Sequence, residues 1–109
     1  VTRREHSTEP VDAIAHVLRV GDGRWVLVGP LTINNVAGVL DASFGVPLPE
    51  TGRIDLKGVD PVDSAGVALL LEWKRRASVE RSAVVFENVP PSMASLAKLY
   101  GVDGLLSPS

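Results

Sequence analysis

The apolar positions of the chain fall first into short runs of period two and then into longer stretches at helical spacing. Ala13 to Val20 reads as a strand, with Ile14, Leu18 and Val20 on one face and His16 among them. Gly21-Asp22-Gly23 follows. An Asp-Gly pair between two apolar runs signals a hairpin, because both turn positions want positive φ. The return strand, Arg24 to Gly29, carries Trp25 and Leu27 on one side and Val26 and Val28 on the other. A run apolar on both sides suits a central strand covered on both faces. Pro30 is expected to end it.

Thr32 is placed to cap a helix from Ile33 to about Phe44, with Ile33, Val36, Ala37 and Leu40 as its apolar stripe. Gly45 to Gly52 holds two prolines and two glycines and reads as a loop. Arg53 to Val59 is the third strand, interrupted by Asp60-Pro61-Val62-Asp63. A second helix then runs from about Ser64 to Ser78, with Val67, Leu70, Leu71 and Lys74 at helical spacing. Ser82 to Glu87 is the fourth strand and Asn88-Val89-Pro90 a turn. A third helix spans about Pro91 to Tyr100, closed by Gly101 in the left-handed position after a helix end. The order β-β-α-β-α-β-α predicts an α/β domain. Its mixed four-stranded sheet has an N-terminal hairpin and about three helices covering at least one face.

At 109 residues there is room for one domain. We expect residues 1–12 to be a polar tail, without the apolar segment of a signal peptide, and 13–109 to be the folded unit. Acidic residues outnumber basic ones by 13 to 11. No basic stripe interleaved with aromatics occurs, which argues against nucleic-acid binding. Cysteine is absent, which excludes disulfides and thiolate metal sites. No apolar run approaches the roughly 20 residues that span a bilayer, so direct membrane insertion is not expected. A cytoplasmic location is the default expectation.

The candidate chemistry is sparse. Gly21-Asp22-Gly23 lacks the third glycine of a dinucleotide fingerprint and joins two strands rather than a strand to a helix. His6 and His16 have no metal-ligand spacing, so no metal or other cofactor is expected. Ser64 as a nucleophile would need a base, and only His16 could serve. Asp55 lies inside a strand, whereas Asp60 and Asp63 frame a turn into a helix. Asp63-Ser64 can be a helix cap, or a functional pair in which the Ser64 hydroxyl stands exposed at the positive end of the helix dipole. A phosphate on Ser64 would add about two negative charges there. Gly66 either packs the helix tightly on the sheet or lets another backbone approach. Leu69, Leu70 and Leu71 cannot all face one core. Val67 and Leu70 are expected inside, with Leu69 or Trp73 near the edge. There, beside Arg75 and Arg76, they would suit a partner interface. The alternative is a solvated face on which Glu72 pairs with Arg75 or Arg76.

The stretch Arg53-Ile54-Asp55-Leu56-Lys57-Gly58-Val59, followed by Val62-Asp63-Ser64-Ala65-Gly66-Val67-Ala68-Leu69-Leu70-Leu71, resembles the signature of STAS domains. These are the sulfate-transporter and anti-sigma-factor-antagonist modules. The resemblance implies the STAS (SpoIIAA-like) fold. Trp25 to Thr32, Ala68 to Leu71, and Asn88-Val89-Pro90 with Leu96 to Val102 look most like the MlaB-like branch. That branch is the small subunit of the bacterial lipid-asymmetry ABC transporter. It implies a non-enzymatic cytoplasmic subunit, peripheral to the inner membrane, that binds the transporter's ATPase. The complex moves phospholipid between the membranes of Gram-negative bacteria. The residues expected to meet the ATPase are Asp60, Val62, Asp63, Ser64, Ala65, Gly66, Leu69 and Trp73. The alternative is an anti-sigma-factor antagonist, whose partner is a serine kinase that is also the anti-sigma factor and phosphorylates Ser64. Ala65, where antagonists commonly have a second serine, leans towards the transporter branch.

Overall fold

The computed structural model describes residues 17–106. Its elements are β1 (Leu18–Gly21), β2 (Arg24–Leu31), α1 (Val36–Phe44), β3 (Arg53–Val62), α2 (Ser64–Val79), β4 (Val85–Glu87), α3 (Pro91–Leu99) and α4 (Asp103–Leu106). The sheet order is β1-β2-β3-β4, with an antiparallel hairpin and two parallel pairings. The mixed sheet is the one expected. Four described helices replace the three of the sequence reading, because α4 is a single short turn of Asp103, Gly104, Leu105 and Leu106. Ile14, His6, His16 and the proposed tail lie outside the described residues.

The hairpin turn has both positive φ values, 55° at Asp22 and 71° at Gly23. Beyond it, the sheet has one dry face. Trp25, Leu27 and Leu31 of β2, Ile54, Leu56 and Val59 of β3, and Phe86 of β4 join one core with Val67, Leu70, Trp73, Met93 and Ala97. Val26 is only half-buried and Val28 is exposed, so β2 is central without being covered on both faces. The open face is instead charged: Asp55 accepts from Arg24 at 3.0 Å and from Asn88 at 3.0 Å, and Arg24 and Arg53 both reach Glu87. The Asn88 bond and the Lys57 backbone N–H hold the Asp55 carboxyl below its ordinary value, against the opposing effect of burial. Val20, expected to share a buried face with Leu18, is exposed at the hairpin end of the edge strand.

Two prolines expected to end or interrupt strands lie within them. β2 runs through Pro30 to Leu31, and β3 through Pro61 to Val62. Proline lacks the N–H a ladder needs. Here β1 covers β2 only from Arg24 to Leu27, and β4 covers β3 only from Arg53 to Asp55. Both prolines therefore lie past the end of the outer neighbour, beside an irregular register between Gly29 and Leu31. No donor is missed. β4 itself is shorter than expected, starting at Val85, although Val84 is already buried.

The first helix begins at Val36 rather than Ile33. The Thr32 hydroxyl accepts from the Asn34 N–H at 3.2 Å, and the Asn35 side chain folds back to the Thr32 N–H and the Pro30 carbonyl. These local bonds hold a turn in place of the first helical turn. Ile33 consequently leaves the apolar stripe and stands in solvent.

Candidate docking surface

Helix α2 begins where β3 ends, and one carboxylate organises the junction. Asp63 is the N-cap: its Oδ1 accepts from the Ala65 N–H at 2.9 Å. Its Oδ2 accepts from the Ile33 N–H at 2.9 Å. One side chain thus caps α2 and ties the turn after β2 to the head of that helix. The capping role was legible in the sequence; the tether to Ile33, 30 residues away, was not. Asp60 and Ser64 are exposed, and Val62, Asp63 and Ala65 are half-buried. Ser64 occupies the first helical position, where the free backbone amides favour negative charge.

Gly66 is buried against the sheet. A Cβ there would lie 2.6 Å from the Leu31 carbonyl oxygen and 2.8 Å from Val62 Cγ2. Between the two roles open to it, the geometry selects tight packing of helix on sheet. Gly66 does not line a surface another backbone can approach.

Leu69 and Trp73, expected near the edge, are buried as fully as Leu70. The buried seam of α2 is Gly66, Leu69, Leu70, Trp73 and Ala77, with Val67 beside it. Lys74, placed by spacing in the apolar stripe, instead donates to the Val84 carbonyl at 3.1 Å. Trp73 packs edge-on against Trp25, with ring centres 5.3 Å apart and planes at 77°. Its indole N–H donates to Ser43 at 3.0 Å. Arg76 donates to the Ser43 and Val46 carbonyls, closing the end of α1. Leu69 and Trp73 both belong to the core and are not the exposed anchors expected, although Leu69 forms part of the floor of a groove beside Ala65 and Ala68, and Trp73 part of the depression next to it. Glu72 pairs with Arg75 at 3.0 Å, the solvated arrangement the spacing allowed.

What α2 does present is a narrow ridge of small side chains. Ala65 and Ala68 border a groove completed by Val36, Ala37 and Leu40 of α1. On the other side, Ser64, Val67, Ala68 and Leu71 border a second groove with Tyr100 and Val102. Ser64 stands at the head of the ridge, with Ile33 and Tyr100 exposed to either side. No charged side chain crosses this stretch before Glu72. Such a surface offers apolar depressions that receive side chains of another protein.

A family profile described as "Mlab, STAS domain" matches residues 18–107. The chain belongs to the STAS family. Members of that family are generally binding or regulatory proteins that act through protein–protein interactions. The fold of this STAS domain is also found in a Ser→Glu variant of RsbS from Moorella thermoacetica. That structure is 20% identical, with a TM-score of 0.50 and 84% of each chain covered. A crystal structure of Mglu matches 72% of the domain at 26% identity and a TM-score of 0.52. The domain spans about a fifth (21%) of Mglu's length. No curated protein matches the sequence. No described helix of the domain is long and apolar enough to cross a membrane.

Proposed function

We propose that this chain is a non-enzymatic subunit that docks on the cytoplasmic ATPase of a phospholipid-transporting ABC transporter and supports its assembly or activity. The observation that carries the proposal is the head of α2, where an exposed Ser64 crowns the Ala65–Ala68 ridge between two apolar grooves. The match to the "Mlab, STAS domain" profile supports that partner over others. Asp60, Val62, Asp63, Ser64 and Ala65 stay in the interface as expected from the sequence, joined by Ile33, Ala37 and Ala68. The domain contributes shape and the partner contributes hydrolysis. Its place is at the inner membrane through that partner.

Two exposed positions test this. Ala68→Arg puts a long charged side chain on the ridge that both grooves share, and Ser64→Glu puts a fixed negative charge at the ridge head. Each is expected to weaken binding of the ATPase by at least about tenfold, or roughly 1.4 kcal/mol. Glutamate at a first helical position suits the helix dipole, so thermal stability should hold. Co-purification of wild-type amounts of ATPase with both variants, at unchanged circular dichroism, would remove this surface from the interface.

The serine itself favours a second reading, an anti-sigma-factor antagonist switched by phosphorylation. Ser64 is accessible to a kinase, and a phosphate there would meet the facing surface with about two charges. Incubation with a serine kinase that is also an anti-sigma factor, followed by mass analysis of the helix-opening peptide, separates the two. Phosphate on Ser64 supports the switch; its absence leaves the transporter reading.

A further inference from the structure

The turn between β2 and α1 lies at the surface, yet its backbone has little freedom. Every amide from Thr32 to Val36 has an acceptor. The Thr32 N–H donates to Asn35 Oδ1 at 2.9 Å, and the Asn34 N–H to Thr32 Oγ1 at 3.2 Å. The Asn35 and Val36 N–H groups both donate to the Thr32 carbonyl, at 3.0 and 2.9 Å. All of these bonds close within the turn. The Ile33 N–H differs: it donates to Asp63 Oδ2, at the head of α2. The Asn35 side chain also donates to the Pro30 carbonyl at 2.8 Å, fastening the turn to the end of β2.

On this frame stands Ile33, 73% exposed. A single apolar side chain in solvent is ordinary. Its support is not. The β-branched side chain is stiff at χ1, and the backbone that carries it is bonded on both sides. A side chain fixed before association loses little freedom when another protein covers it, which favours binding.

Both oxygens of Asp63 are engaged within the domain, Oδ1 with the Ala65 N–H and Oδ2 with the Ile33 N–H, each at 2.9 Å. An N-cap needs only one acceptor, and serine caps about as well as aspartate. The second oxygen serves the turn instead. We propose that Asp63 is a positioning residue for docking, an inference that rests on the function proposed above. Its carboxylate holds Ile33 at a set place beside the Ser64 ridge, so that the ATPase meets a preformed apolar anchor. The side chain acts through Ile33 and not through a contact of its own.

Asp63→Asn separates capping from positioning. Asparagine is as good an N-cap, and its Oδ1 accepts from the Ala65 N–H as before. Its Nδ2 then faces the Ile33 N–H, donor against donor, and the tether is lost. Asp63→Ser, with a single oxygen, should behave alike. In either free variant, amide exchange is expected to quicken at least about tenfold at Ile33 while Ala65 keeps its protection. Binding of the full chain to the ATPase should weaken about fivefold in Asp63→Asn and about tenfold in Ile33→Ala. The double variant should lose no more than Ile33→Ala alone, because the first residue works through the second. Losses that instead multiply to about fiftyfold would make the two residues independent and overturn the positioning role. So would wild-type binding by Asp63→Asn or by Ile33→Ala, or an Ile33 amide that exchanges no faster, and each of these leaves the docking surface standing. That surface is decided separately by Ala68→Arg and Ser64→Glu, and wild-type binding by both would bring down the proposed function and this role with it.

Discussion

Replacing Trp73 by alanine is expected to lower the stability of the domain by about 3–5 kcal/mol, the usual range for truncating a buried large aromatic. Several effects combine at this side chain. Trp73 is fully buried and fills the space between the sheet and α1. Its removal takes away the edge-on partner of Trp25. It also leaves Ser43, itself buried, without the indole N–H it accepts. Domains of this size are stable by only about 5–15 kcal/mol, so the variant should be marginal at room temperature. Urea unfolding followed by circular dichroism would show the midpoint falling sharply. A loss below about 1 kcal/mol would mean that Trp73 sits at a surface, as the sequence alone suggested.

The second large effect is expected at Gly66. Alanine there would lower stability by about 1–3 kcal/mol, although alanine is normally the better helix former by nearly 1 kcal/mol. The sign reverses because the added methyl would collide with backbone: the Leu31 carbonyl oxygen at 2.6 Å, with Val62 at 2.8 Å behind it. The oxygen is backbone, and the Val62 methyl is carried by a stiff β-branched side chain, so α2 must lift from the sheet. Valine at the same position should be worse. Thermal melts of Gly66→Ala beside Ala68→Arg would separate packing from docking. The first should lower the melting temperature, and the second should spare it while weakening the partner complex. A stable Gly66→Ala that failed to bind would point to the opposite role.

The elements fixed by local chemistry were legible in the sequence. Asp22-Gly23 specified its hairpin because those two residues accept positive φ, and Asp63 specified the start of α2 because its carboxylate reaches the Ala65 amide. Gly101, at a φ of 73°, closes α3 where expected. The rest depended on what lay opposite. In α2 Val67 and Leu70 are buried as expected, but extending their stripe to Leu71 and Lys74 rotated it away from the true seam through Leu69 and Trp73. Small residues at Gly66 and Ala77 flanking Trp73 at spacings of seven and four carried the signal, because a bulky ring needs small neighbours along its line of contact. That rotation is why Leu69 and Trp73 were assigned to a partner and Ala68 was overlooked. Similarly, Pro30 and Pro61 argue against strands only where an outer neighbour demands an N–H, and the short β1 and β4 make no such demand. Ile33 left its helix for bonds among Thr32, Asn34 and Asn35 that each residue makes in many contexts.

Amide hydrogen exchange of the domain, alone and saturated with the ATPase, measures the docking face most directly. The account predicts slower exchange in the complex at Ile33 to Leu40 and Asp60 to Ala68, with the open sheet face around Val26, Asp55 and Lys57 unchanged. Protection confined to that charged sheet face, with the head of α2 exchanging as in the free protein, would contradict it.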